Sequence, residues 1–457
     1  MINLDKFSHV ILKHIISYLD NIDRICLSLI CKSLFQDRDK FIQFKLGETL
    51  DPYIIDEKYV LPSFRNIIRN QFGQIPITNL FRFEENQICK VGSIPDGTTN
   101  LSFQPFFDSV IEPHSIPESV DTLNLGYKFN KPLEPNSLPP RLKTLMISMC
   151  YKQPLQNYTL PNSIETLLIS YIPFSLETLP TSLVELCFVD GIPIPLKPGM
   201  LPPTLRRLTI LGEYRFPLEP GDIPNTIVKL QIHPLCPLTP GAIPRGIRKL
   251  KLSGRKALQI GSIPDTVEFL SLGESYNIPL VKSIFPPALK TLVVGGNFQH
   301  QRNSELPDTI TKLKISKANV LPEFLPPNLK TLVKLYKPGV ALGKVPASLD
   351  TLQYIEMTDD IKENPETFKP PPPQIKTIHF VFDNEFRNEQ FIQLYLRQKN
   401  LSVITITDTE STYTIRRLDN ETTLVLNKMV EGYLVPHQKL LETNQFTNHK
   451  LIRAWMR

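Results

Sequence analysis

The chain repeats one pattern of apolar and polar positions many times. In nearly every copy a proline is followed by apolar residues at the third, sixth and eighth positions, mostly separated by polar or charged ones. Pro117, for example, is followed in this way by Val120, Leu123 and Leu125. Because the last two apolar positions are two residues apart, they lie on the same side of a short strand. The pattern therefore predicts one strand after each proline, with its apolar side buried.

The proline that marks each copy recurs at a nearly constant interval. Consecutive prolines of the first thirteen copies are 19 to 22 residues apart, and a fourteenth copy follows a longer gap. One such unit cannot bury its apolar side alone, so the units must stack strand upon strand. The pattern predicts a mainly β repeat solenoid with a parallel sheet of the leucine-rich-repeat type. The marking residues are Pro95, Pro117, Pro139, Pro161, Pro180, Pro202, Pro224, Pro244, Pro264, Pro286, Pro307, Pro326, Pro346 and Pro372.

The other half of each repeat is rich in turn residues. Pro-Leu pairs recur there, often followed by Pro-Gly, as at Pro198-Gly199 and Pro220-Gly221. Proline and glycine favour turns and disfavour helices, so an extended or 3₁₀ return path is predicted. One strand departs from the apolar pattern, because Lys334 occupies the eighth position after Pro326.

Two short motifs in the return half carry a family resemblance. They are Phe129-Asn130-Lys131-Pro132 and Tyr276-Asn277-Ile278-Pro279, and each is followed by leucine and then by a further apolar-Pro pair. With these tetrads the units resemble the FNIP repeat, a leucine-rich-repeat-like family. The likeness extends over about residues 91–381. It implies a leucine-rich-repeat-like solenoid.

The spacing of apolar residues in the N-terminal residues 3–45 predicts two amphipathic helices with a turn between them. This helix pair resembles an F-box, although an F-box usually opens with Leu-Pro and this chain has Leu4-Asp5. The resemblance implies that the segment binds a Skp-family adaptor and that the chain is a substrate receptor of a cullin-type ubiquitin ligase. The alternative is a plain helical cap that shields the first repeat. The residues that the resemblance assigns to adaptor binding are Leu19, Asp20, Leu29, Cys31 and Lys32.

These patterns predict that the chain is divided into four parts. They are an F-box-like helical segment at 1–45, a linker and N-terminal cap at 46–90, the repeat solenoid at 91–384, and a small α/β C-terminal cap at 385–457. Within the C-terminal cap the sequence predicts a helix at Asn388–Gln398, a strand at Leu401–Ile406, and a hairpin of Tyr413–Arg417 with Thr422–Leu426.

Several basic residues are predicted to share the exposed face of the sheet. The fifth position after each proline alternates with the buried positions and is most often threonine, which suits a strand surface. Arg207, Lys229 and Lys249 occupy it in three consecutive repeats, with Lys251 two residues further on. Like charges in a row repel unless an anion or solvent screens them. We therefore predict an acidic or phosphorylated protein partner at these four residues; the alternative is a solvated charged face.

The charge balance supports this location without suggesting nucleic acid. Residues 91–346 contain 26 Lys and Arg against 19 Asp and Glu, a net charge of +7, whereas the whole chain carries +6. A sequence pI of about 8.8 is only mildly basic, and no stripe of aromatic residues alternates with the charges. Nucleic acid is therefore an unlikely partner.

Motifs of catalysis and of cofactor binding are missing from the sequence. It contains no GxxxxGK[ST], GxGxxG, HExxH or GxSxG, and its six cysteines and eight histidines are scattered without metal-ligand spacing. We expect no enzyme activity, no cofactor, no metal and, without a long apolar stretch, no membrane partner. The simplest expectation is a cytoplasmic interaction protein, either the ligase receptor or a scaffold or signalling-associated repeat protein with capping helices.

Overall fold

The structure is a computed structural model whose described residues fall into two compact units. One unit comprises residues 78–330 and 343–346, and the other comprises 1–77, 331–342 and 347–457. The described residues are 12, 42, 80–83, 88–155, 160–170, 176–254, 256–273, 276, 278, 281–295, 306–315, 325–335, 345–357, 371–382, 397–407, 412–418, 422–427 and 432–436.

The first unit is a ladder of parallel strands, one for each marked repeat and one more, Leu80–Phe83, in the segment that the sequence predicts as linker and cap. Two short 3₁₀ helices, Leu176–Thr178 and Lys282–Ile284, lie on the return path, as the turn-rich composition predicts. Every consecutive pair of strands is parallel. The strands are β1 Leu80–Phe83, β2 Asn100–Phe103, β3 Thr122–Asn124, β4 Thr144–Met146, β5 Thr166–Ile169, β6 Glu185–Phe188, β7 Arg207–Tyr214, β8 Lys229–Pro234, β9 Lys249–Leu252, β10 Phe269–Leu272, β11 Thr291–Val294 and β12 Lys312–Ile315.

The side chains at the predicted apolar positions form the core of this unit. Leu123, Leu145 and Leu167 occupy the sixth position of three repeats, pair with one another across β3, β4 and β5, and are fully buried. Each buried leucine side chain contributes about 1.5–3 kcal/mol relative to an exposed one. The predicted solenoid with a parallel sheet is therefore confirmed for this unit.

The marking proline opens a tight turn into each strand. The carbonyl oxygen of Pro117 accepts a hydrogen bond from the amide of Val120 at 3.0 Å, and Pro139 and Leu142 repeat the bond at 3.1 Å. This is the turn bond between residues three apart, and proline presets the backbone for it. On the return path the Pro-Gly turn needs glycine, since Gly221 has a φ of +99°.

A stack of aromatic rings accounts for the first residue of the FNIP-like tetrad. The rings of Phe107, Phe129 and Tyr151 are buried, and their centroids are separated by 5.8 Å and then 6.0 Å. The asparagine of the tetrad links neighbouring coils, because the Asn130 side-chain oxygen accepts the amide of Lys152 at 2.8 Å. At Phe129-Asn130 the tetrad therefore supplies a buried aromatic ring, followed by an asparagine that forms a hydrogen bond to the neighbouring coil.

A second ladder of side chains joins the coils at the turn before each strand. The Ser119 hydroxyl donates to the Thr98 carbonyl at 2.7 Å. Several further repeats place a hydroxyl at the same position after the proline; Ser163, for example, donates to Leu142 and Thr226 to Leu205. These bonds satisfy carbonyl oxygens that the strand ladder does not use.

The second unit continues with parallel strands and ends in an antiparallel meander. The parallel strands are β13 Thr331–Leu335, β14 Thr351–Met357, β15 Thr377–Phe382 and β16 Val403–Thr407, with β13–β14, β14–β15 and β15–β16 paired. The antiparallel strands are β17 Thr412–Arg417, β18 Thr422–Asn427 and β19 Gly432–Pro436. The predicted C-terminal strand and hairpin pairing are thus confirmed, while residues 388–396 of the predicted helix lie outside the described part of the chain.

The strand β16 follows the repeat code without its proline. Leu401, Ile404 and Ile406 are buried at the third, sixth and eighth positions after Gln398. The Leu401 amide donates to the Gln398 carbonyl at 3.3 Å, just as an amide donates to proline in the other repeats. The turn geometry, and not the proline ring itself, is what the repeat requires at this position.

Lys334 occupies the inward-facing eighth position of its repeat although it is charged. Its side chain in β13 is only 7% exposed, and the register sets it beside Tyr354 in β14. The Lys334 Nζ lies 5.9 Å from the centre of the Tyr354 ring, which stacks on Phe380 at 5.9 Å. The interruption noted in the sequence is therefore a lysine that points into the core.

Candidate interaction surface

The exposed face of the first unit carries side chains in rows that run across the strands. The residues at the fifth position of each repeat pair with one another in register, so they form a single row. Adjacent strands are about 4.8 Å apart, and neighbours in a row are therefore in contact range. We call this the fifth-position row; it reads Thr122, Thr144, Thr166, Glu185, Arg207, Lys229, Lys249 and Phe269.

All four residues that the sequence singled out lie on this face. Arg207, Lys229 and Lys249 are consecutive in the fifth-position row, and Lys251 occupies the next outward position of β9. Lys229 is exposed, whereas the other three are half-buried. The structure thus brings the four predicted residues together on three adjacent strands.

Arg207 differs from the three lysines because it has an acidic partner. Its Nη2 lies 2.6 Å and its Nε 2.7 Å from Oε2 of Glu185 in β6. Glu185 precedes Arg207 in the fifth-position row, so the signal for this pair was already present in the sequence. We use "basic cluster" for the remaining three residues: Lys229, Lys249 and Lys251.

Mutual repulsion in the basic cluster is visible at Lys249. Burial lowers the pKa of the Lys249 amine, and the charges of Lys251 and Lys229 lower it further. Its Nζ lies 4.8 Å from the centre of the Phe269 ring, whose negative face attracts a cation. Lys249 is therefore held between an aromatic ring and two like charges.

The adjacent row shows the opposite arrangement. Glu268 accepts hydrogen bonds from Arg248 and from Lys290, each at 2.8 Å. These two cations lower the pKa of the Glu268 carboxyl. Within the part of the chain that the structure describes, no ion pair involves a lysine of the basic cluster. The cluster thus brings three lysines together on two adjacent strands of this face, without an acidic partner among the described residues.

A second exposed feature was missed by the sequence reasoning. Phe106, Tyr127 and Met149 are 64%, 51% and 41% exposed and lie in successive turns after β2, β3 and β4. Met146 and Leu168 are half-buried at the seventh position of β4 and β5. We call these five residues the apolar patch. Its signal in the sequence is a large apolar residue at outward positions of consecutive repeats.

Chemistry beyond binding has little support on the described surface. No group of three or more His, Cys, Asp or Glu among the described residues could hold a metal ion. Burial raises the pKa of the Cys89 and Cys187 thiols, which makes them poor nucleophiles at neutral pH. No helix of the described chain is long and apolar enough to cross a membrane.

The predicted adaptor-binding segment cannot be placed. Of residues 1–45 only Leu12, which is helical and buried, and Ile42, which is buried, are among the described residues. The predicted residues Leu19, Asp20, Leu29, Cys31 and Lys32 all lie outside them.

Comparison with known proteins supports the repeat assignment. The model of a family described as FNIP Repeat matches residues 86–128, 129–171, 236–275 and 276–318. Two of these matches begin at Phe129 and Tyr276, the first residues of the tetrads noted in the sequence. The resemblance to the FNIP repeat is thereby confirmed.

One similar solved structure is described as "CroV588 a novel circular LRR protein structure". It is 19% identical, and the match covers 72% of this chain and 55% of that chain, with a TM-score of 0.46. This chain therefore spans about half the length of that protein. No curated protein sequence matches the chain.

Proposed function

We propose that this array of FNIP repeats is a non-enzymatic protein-interaction module whose basic cluster holds an acidic or phosphorylated segment of a partner protein. The single observation that carries the proposal is uncompensated positive charge at Lys229, Lys249 and Lys251, next to strands whose charges are paired. A carboxylate or phosphate at this position would accept hydrogen bonds from the amines and remove their repulsion.

The size of this effect follows from the spacing of the strands. Two unit charges about 4 Å apart interact by about 1 kcal/mol in water and by several times more near a partly desolvated surface. The basic cluster is half-exposed, so the lower end of this range applies. An anion that relieves two such repulsions would gain about 2 kcal/mol, or roughly thirtyfold in affinity.

The test is a double charge reversal, Lys229→Glu with Lys249→Glu, in the full chain. Binding of a fluorescein-labelled peptide of alternating aspartate and serine would be measured by fluorescence anisotropy, with a phosphoserine version in parallel. We expect at least a tenfold loss of affinity, which corresponds to about 1.4 kcal/mol. Because exposed charges are screened by salt, binding to the wild-type chain should also weaken as the salt concentration rises.

The matched control is Lys312→Glu with Lys314→Glu in β12. These two lysines occupy the fifth and seventh positions of a repeat on the same face, and their reversal changes the net charge equally. We expect the control to retain most of the affinity. An equal loss in both variants would show general attraction to a basic face and would contradict a site at the basic cluster.

The ligase-receptor form of this function rests on the F-box-like residues 1–45 alone. We propose that this segment binds a Skp-family adaptor while the repeats hold the target. Affinity purification of the full chain and of a chain starting at Leu46 tests this directly. We expect the adaptor with the first and not with the second. If neither recovers it, the scaffold or signalling role is the correct one, and the N-terminal helices only cap the repeats.

A further inference from the structure

The apolar patch groups three exposed and two half-buried apolar side chains of consecutive coils in the first unit. The side chains of Phe106 and Tyr127 are more than half exposed, and Met149 is 41% exposed. The turns that carry them are joined from coil to coil, since the Tyr127 amide donates to the Pro105 carbonyl at 3.1 Å. Large exposed apolar side chains grouped in this way mark an interaction site more often than isolated ones do.

A continuous path joins the apolar patch to the basic cluster. The seventh positions of β4 to β9 pair in register and form one row across the sheet. This row begins with Met146 and Leu168 of the patch and ends with Lys251 of the cluster. The three positions between them are uncharged and half-buried: Cys187, Thr209 and Gln231.

The length of this path sets the length of a ligand that would use both ends. From β5 to β8 there are three strand steps of about 4.8 Å, or about 14 Å, and from β2, whose following turn carries Phe106, to β9 there are seven steps, or about 34 Å. An extended peptide advances about 3.3 Å per residue. The two ends are therefore about four to ten residues apart in an extended chain.

We infer that one extended partner segment crosses these strands, with acidic residues on the basic cluster and apolar or aromatic residues about four to ten positions away on the apolar patch. The acidic half of this inference rests on the proposed function. The apolar half rests on the exposed side chains of the patch. Charge complementarity sets the direction of the segment, because its acidic end lies on the lysines and its apolar end on the apolar patch. Glu185 and Arg207 beside the path neutralise each other and leave it free of net charge.

Selection from a phage-displayed library of random peptides tests the inference with the full chain as bait. Three variants are compared with the wild type: Lys229→Glu with Lys249→Glu, Tyr127→Ser with Met149→Ser, and the control Ile260→Ser. Ile260 is 67% exposed and lies outside the patch. Because all the apolar residues changed are exposed, the thermal unfolding midpoints should stay close to the wild-type value.

The wild type and the Ile260→Ser control should enrich peptides that combine an acidic group with an apolar residue at the stated separation. The Tyr127→Ser, Met149→Ser variant should keep the acidic preference and lose the apolar one. If wild-type peptides share only the acidic group, the inference is wrong and the proposed function stands. If they show no acidic preference, the proposed function fails as well.

A membrane surface is the other occupant that basic and apolar residues together can suit. Flotation of the wild-type chain with phosphatidylserine vesicles separates it from a peptide segment. We expect no flotation. Flotation that is lost in both the charge-reversal and the patch variants would overturn the peptide assignment.

Discussion

At the scale of the residue, Lys334 is the position where the repeat code and the chemistry of the side chain disagree. The eighth position of a repeat points into the core, and the register of β13 with β14 leaves the lysine no outward alternative. A one-residue shift would move the inward-facing leucines of the strand to the opposite face of the sheet. The strand therefore keeps its register and buries an amine. Burial lowers the pKa of Lys334 because water can no longer solvate its charge.

This burial predicts the effect of Lys334→Met on stability. Methionine has a similar length and no charge to desolvate, so the free energy of unfolding should rise by about 1 kcal/mol or more at neutral pH. Chemical denaturation of the full chain measures it. Lys330→Met is the control, since Lys330 is exposed in the same repeat and should have little effect. A clear loss of stability in Lys334→Met would contradict a penalty for the buried charge.

The difference in stability between Lys334→Met and the wild type should change with pH in a definite direction. The folded chain binds the Lys334 proton less tightly than the unfolded chain, whose lysines titrate near 10.4. Between the lowered folded pKa and that value the unfolded state holds more protons, so this residue makes stability rise with pH. The advantage of Lys334→Met over the wild type should therefore shrink as the pH is raised toward 10.

At the scale of the element, the coils are joined by more than strand pairing. The hydroxyl two residues after the proline donates to a carbonyl of the previous coil in several repeats, for example Thr226 to Leu205 at 2.9 Å. In the repeat of Pro244 this position is Gly246, where a Cβ would lie 2.2 Å from the Asn225 carbonyl oxygen. Close approach of the two backbones takes the place of the hydroxyl bond there.

This hydrogen bond can be tested with Thr226→Val, which keeps the shape of the side chain and removes the donor. The Leu205 carbonyl then loses its partner, and we expect a loss of about 1 kcal/mol in the free energy of unfolding. Thr226→Ser retains the hydroxyl and should recover most of that loss. Equal destabilisation by valine and serine would point to lost packing of the methyl group and not to the hydrogen bond.

At the scale of the whole molecule, the charge distribution matches the proposed role. The net charge of residues 91–346 exceeds that of the whole chain, so the remaining residues nearly cancel. Within the first unit, the charges of neighbouring coils are partly paired, as at Arg248, Glu268 and Lys290. Among the described residues, the lysines that consecutive repeats place side by side in β8 and β9 form no ion pair and are left for a partner.

Most of the repeat could be predicted from the sequence because its spacing is local. The apolar positions three, six and eight after each proline indicate which side chains are buried, and the turn residues predict the 3₁₀ helices seen on the described return path. The sequence predicts a separate C-terminal cap that includes β16, and Gln398 occupies the position of the marking proline there. Its apolar spacing, Leu401, Ile404 and Ile406, nevertheless follows the same rule.

The sequence by itself therefore determined the strand positions, the inward and outward faces, and the presence of a row of basic residues. Only the tertiary structure decided which of those residues are compensated and which apolar residues form a surface. Arg207 is paired with Glu185, Lys249 lies over Phe269, and the Tyr127 backbone amide bonds to the Pro105 carbonyl of the previous coil. Each of these contacts joins residues about one coil apart, and it forms because stacking brings equal positions of neighbouring coils within one strand spacing, however many residues separate them in the chain.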